Sequence, residues 1–84
     1  MTTKEFKKQL IELGYDYDQG VYTGILRVLN DAGVVACTKT RRFGFIDTGR
    51  DATAELSASD ARKLLNVLVK YATTPVSERG GSRK

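Results

Sequence analysis

Between residues 20 and 47 the chain reads GVYTGILRVLNDAGVVACTKTRRFGFID, and this stretch restricts the possible folds more than any other. Its second half is a β-branched run, a basic knot of Lys39, Arg41 and Arg42, and an apolar, partly aromatic run of Phe43, Phe45 and Ile46. Two such runs separated by a charged break predict strands over 34–40 and 43–47, joined as a hairpin with a positive tip. The first half reads in two ways. As a helix over 21–32, it places Val21, Ile25, Val28, Leu29 and Ala32 on one face, with Tyr22 and Leu26 at the edge. Gln19, Thr23, Arg27 and Asn30 then line the opposite face, and Gly33 ends the helix. As a strand, residues 21–29 pair with 34–38 across the turn Asn30-Asp31-Ala32-Gly33. The segregated polar face favours the helix, and so do the doublets Ile25-Leu26 and Val28-Leu29, which break strict alternation. Gly24 suits neither reading.

The flanking segments are easier to read. Residues 2–13 predict a helix, because Thr2-x-x-Glu5 fits a capping box and Phe6, Leu10 and Leu13 form one apolar stripe. Lys4, Lys7 and Lys8 lie mostly off that stripe, and Gly14 is a natural terminator. Tyr15-Asp16-Tyr17-Asp18-Gln19-Gly20 reads as a connector, or as a short extended segment with both tyrosines on one face. Thr48-Gly49-Arg50-Asp51 predicts a turn and residues 52–56 a short third strand. Residues 57–72 carry the clearest helical pattern: Ser57 and Asp60 at its start, then Ala61, Leu64, Leu65, Leu68, Tyr71 and Ala72 along one stripe. That stripe is core, or in part the seam of a homodimer. The expected organisation is a single domain over 1–74 followed by a disordered basic tail over 75–84.

Composition bounds the chemistry. Eighty-four residues make one small domain, and 40% hydrophobic against 29% charged residues is ordinary for a globular chain. No apolar run approaches the ~20 residues that cross a bilayer, so no membrane partner is expected. No basic-then-apolar leader follows Met1, and Cys37 is alone, so a cytoplasmic location is expected. The net charge is +4 with no histidine. Residues 21–50 hold Arg27, Lys39, Arg41, Arg42 and Arg50 against Asp31 and Asp47, and the tail holds Arg79, Arg83 and Lys84 against Glu78. Such local excess favours polyanions. Without histidine the commonest general base is missing. A cysteine inside a strand is usually a small hydrophobe, and the pairs Asp16/Asp18 and Asp47/Asp51 match no metal loop. The glycines form no phosphate-binding fingerprint. The chain is therefore expected to be no enzyme, with no catalytic residues, no metal site and no cofactor.

The run ILRVLNDAGVVACTKTRRFGFID resembles the recognition helix and wing of winged helix-turn-helix proteins. In that family the helix ends in a Leu-x-x-Ala-Gly-Val-like segment and the first wing strand starts at once. The resemblance covers residues 3–47. It implies an α+β fold of helix, helix and β-hairpin, closed here by the helix over 57–72. It also implies DNA binding in transcription regulation. Residues 21–32 would be the recognition helix, with Thr23, Arg27 and Asn30, and also Tyr22, facing a groove. Lys39, Arg41 and Arg42 would be wing contacts to phosphate, and residues 2–13 the positioning helix. The alternative is a non-enzymatic interaction module or inhibitor of the kind mobile elements encode. It would dock on a host protein through the hairpin or the last helix, with Tyr15, Tyr17 and Tyr22 as contact groups. A strand over 21–29 would remove the recognition helix and leave the interaction module as the leading reading.

Overall fold

Helix α1 spans Thr3–Glu12 and starts on the expected capping box. Thr2 Oγ1 accepts from the Glu5 N–H at 3.1 Å, and Glu5 Oε1 accepts from the Thr2 N–H at 2.8 Å. These hydrogen bonds, that to the backbone first, hold the Glu5 carboxyl below its ordinary pKa. The long helix α3 spans Ala58–Ala72, with Ser57 as its cap. The two helices meet through buried Phe6, Leu10, Leu64, Leu68 and Tyr71. Phe6 stacks on Tyr71 with ring centroids 4.4 Å apart, and Thr3 Oγ1 lies 2.7 Å from the Tyr71 hydroxyl. A computed structural model provides this description, over residues 1–20, 23–49 and 51–80. Among these residues no helix is long and apolar enough to cross a membrane.

Both helices pack on one four-stranded antiparallel sheet, in the order β1 (Asp16–Gln19), β2 (Ile25–Asn30), β3 (Gly33–Lys39), β4 (Ile46–Asp47). Small α+β architecture is thus observed, but the helix expected over 21–32 is not. Residues 25–30 form a central strand, paired on one side with β1 and on the other with β3. Leu26 and Val28 are fully buried toward the helices, beside Thr38 and Ala36 of β3. Ile25, Arg27 and Leu29 point to the opposite face, where Ile25 and Leu29 are half-buried. Apolar residues on both faces of one strand imitate helical periodicity, and two hydrogen-bonded neighbours decide the competition in favour of the strand. Asn30 closes the β2–β3 hairpin: its Oδ1 accepts from the Ala32 N–H at 2.8 Å. Gly33 pairs with Asn30 at φ 116°. Val21 and Tyr22 lie outside the described residues.

The β2–β3 ladder slips at Val28/Leu29, where Val28 faces Ala36 and Leu29 faces Val34. Val35 is the extra residue of this bulge and is fully buried. Its freed carbonyl accepts from Thr53 Oγ1. Thr53 belongs to a short helix α2, Asp51–Ala54, so the expected third strand over 52–56 is corrected to helix and turn. The strand over 43–47 shortens to Ile46–Asp47, because Gly44 adopts φ 77° and donates to the Ala72 carbonyl at 2.7 Å.

The segment after Thr74 also differs from expectation. Residues 75–80 are not a free tail but fold back through a 3₁₀ turn, Val76–Glu78, that delivers Arg79 into the interior at 1% exposure. Its guanidinium donates from Nε to the Thr74 carbonyl (3.0 Å) and from Nη1 to the Lys39 and Thr40 carbonyls (2.8 and 2.9 Å). Nη2 donates to the Arg42 and Ala72 carbonyls, both at 3.1 Å. All five donors are used, and the group also lies over the Tyr71 ring at 4.4 Å. Two of the acceptors, Ala72 and Thr74, sit at the C-terminal end of α3, where the helix dipole favours a cation. The residues from 81 to 84, with Arg83 and Lys84, lie outside the described residues, as does Arg50.

Candidate functional site

The six residues expected to contact nucleic acid do not form one surface. Thr23 is exposed in the β1–β2 connection, where its Oγ1 accepts from the Ile25 N–H at 3.3 Å. Arg27 stands on the sheet face away from the helices and pairs with Asp18. Its charge is therefore met within the molecule. Asn30 is occupied at the opposite end of β2, in the hairpin turn. Lys39 ends β3 with its Nζ 4.6 Å from the centre of the Phe45 ring. Arg41 and Arg42 are exposed in the β3–β4 loop, so the basic tip is present. The groove-facing row of Thr23, Arg27 and Asn30 is not: Thr23 and Arg27 border one hollow with Gly20 and Ile25, but Asn30 lies at the far end of the strand, where a helix would have aligned all three.

The structure instead brings Arg41 together with two lysines of α1. A cleft of about 600 Å³ opens between the start of α1, the end of β1 and the β3–β4 loop. Lys4, Lys7, Gln19, Arg41 and the buried Arg79 line it, and among the described residues no carboxylate does. Lys4 and Lys7 are three residues apart on one helix face. The Lys7 ammonium lies 5.3 Å from the centre of the Tyr17 ring, which holds it over β1. Thr40 fixes the loop side: its N–H and Oγ1 both donate to the Gly24 carbonyl, at 2.8 and 3.2 Å. Gly24 has φ 70°, and a Cβ there would come within 3.3 Å of Thr40 Oγ1, so glycine is required. That is the role of the glycine that suited neither sequence reading.

Apart from the cleft, large apolar side chains are exposed on α3 and the β3–β4 loop. Phe43 is 62% exposed, Val69 47% and Leu65 39%. Leu65 and Val69 are four residues apart and share the outer face of α3. The Gly44–Ala72 hydrogen bond ties Phe43 to the end of the same helix. Arg42, next to Phe43, and Arg62, three residues before Leu65, are both exposed.

Comparison with known proteins finds no matching family model, curated protein or solved structure. The functional reading therefore rests on this geometry alone. Sequence reasoning passed over Lys4, Lys7 and Arg79. The spacing of Lys4 and Lys7 off the apolar stripe was a usable signal. Arg79 gave none, because its partners are main-chain carbonyls, which every residue type carries.

Proposed function

We propose that this chain is a non-enzymatic protein-interaction module that docks through the outer face of α3 and the β3–β4 loop. The observation that supports this reading is the exposure of Leu65 and Val69 along the C-terminal half of α3 and of Phe43 beside its end. Large side chains left in water near one another are poised to gain burial energy from a partner, and an aromatic anchor dominates such contacts. Arg42 and Arg62 border the patch, so the favoured partner surface is apolar at its centre and acidic at its rim. A twofold pairing of this face would set like charges against each other, which favours a different chain over a second copy through α3. Reading of DNA by a recognition helix is not part of the proposal, since β2 occupies those residues.

Affinity capture from nuclease-treated extract of the source cells tests the reading. The wild-type chain should recover one partner in stoichiometric amount. Phe43→Asp combined with Val69→Ser, with an unchanged circular-dichroism spectrum, should lose it. Retention of the partner by that variant, or recovery of nucleic acid alone before nuclease treatment, overturns the proposal.

A further inference from the structure

We infer that the cleft between α1 and the β3–β4 loop binds a compact oligophosphate group, of the size of a di- or triphosphate. This inference stands apart from the docking reading: the two share the β3–β4 loop, but the cleft uses Arg41 and none of Phe43, Leu65 or Val69. Lys4, Lys7 and Arg41 reach the cleft from two separate elements, and no carboxylate among the described residues lines it. Arg79 adds a fourth positive charge from beneath. Its five donors are all engaged by carbonyls, so it makes no hydrogen bond to a ligand. Carbonyl dipoles satisfy its geometry but do not neutralise it, and a buried charge in low dielectric is felt at longer range than an exposed one. The Thr2 and Glu5 amides at the start of α1 are committed to the capping box and the Thr3 amide to the Arg79 carbonyl, so the attraction comes mainly from the side-chain cations.

Four like charges around one cleft repel one another, and a multivalent anion relieves that repulsion. A peptide carboxylate carries one charge and spreads its neighbours along an extended chain, whereas an oligophosphate concentrates three or four charges in one place. A cleft of about 600 Å³ also falls in the usual range for small-molecule sites, roughly 300–1,000 Å³. Among the described residues no aromatic side chain lines it, so none of these stacks on a nucleobase. The recognised group is the phosphate chain itself, whether free or attached to a nucleoside.

Isothermal titration calorimetry at low salt tests this with sodium tripolyphosphate and with ATP as probes. The wild type should bind tripolyphosphate, and ATP no more than a few-fold tighter. Lys4→Ala, Lys7→Ala and Arg41→Ala should each weaken binding by about tenfold or more, as expected for charge-assisted contacts. Lys63→Ala with Lys70→Ala removes two charges from exposed positions of α3, one more than each single variant, and should still leave binding within about twofold. Each variant is checked for an unchanged melting temperature. Absence of tripolyphosphate binding, binding of ATP alone, or an equal loss in the α3 variant overturns the inference. The Phe43→Asp, Val69→Ser variant should keep tripolyphosphate binding, which separates this result from the fate of the docking reading.

Discussion

Arg79 is held by shape as much as by charge. The planar fork of arginine serves five carbonyls from three places: Lys39, Thr40 and Arg42 of the β3–β4 region, Ala72 of α3, and Thr74 just beyond it. A lysine offers three donors from one point and cannot reach all of them. Arg79→Ala should lower the unfolding free energy by about 3 kcal/mol or more, because several buried carbonyls lose their partners. Arg79→Lys should cost roughly half as much, measured by urea denaturation. Equal losses would mean that the fork matters and the charge alone rescues nothing, whereas no loss in Arg79→Lys would mean that the charge suffices. Tyr15 offers a second residue-level handle. Burial, with a smaller contribution from the nearby Asp60 carboxylate, raises its phenol above the ordinary value of 10.0. A raised folded-state pKa gives stability that is full below the unfolded value and declines as pH rises through it toward the folded one. Denaturation midpoints should therefore be flat from neutral pH to about pH 9 and fall beyond it, and Tyr15→Phe should remove part of that fall.

Legibility in the sequence follows the number of faces each element buries. Helices α1 and α3 each bury one stripe and carry a side-chain cap, so periodicity and capping residues were enough to place both to within a residue or two. Strand β2 is central to the sheet. Leu26 and Val28 serve the core while Ile25 and Leu29 partly cover the far face, and Arg27 between them pairs with Asp18. The resulting pattern has apolar residues at spacings of three and four, which is also the pattern of a helix. Only knowledge of β1 and β3 as neighbours separates the two. The bulge at Val35 was equally hidden, since it depends on Thr53 arriving from α2 to take the spare carbonyl. Thr53→Val leaves that carbonyl without its donor and should destabilise by about 1–3 kcal/mol, read from the shift of the urea midpoint. A smaller effect would mean that the bulge is set by packing of Val35 alone. Of the candidate site, the basic tip was visible and its convergence with Lys4 and Lys7 was not, because that meeting needs the loop to fold back toward α1.

At the scale of the molecule, the two ends of the described chain converge on one point. The Met1 amino group donates to Thr74 Oγ1 at 3.0 Å, and the Thr3 N–H donates to the Arg79 carbonyl at 2.8 Å. The start of α1, the end of α3, the β3–β4 loop and the returning segment 75–80 are thus clasped together, and all but the end of α3 contribute to the cleft. Ending the chain after Thr74 should lower the thermal midpoint by about 10 °C or more relative to a chain ended after Gly80, given that 1 kcal/mol shifts a domain of this size by roughly 4–8 °C. An unchanged midpoint would mean that the segment only rests on the surface. The clasp also imposes an order on synthesis. Helix α1, the whole sheet and α3 leave the ribosome before residue 79 does, so until then the carbonyls of Lys39, Thr40 and Arg42 wait without their donor. The cleft acquires its final shape, and its deepest positive charge, only once the segment carrying Arg79 has been made and has folded back.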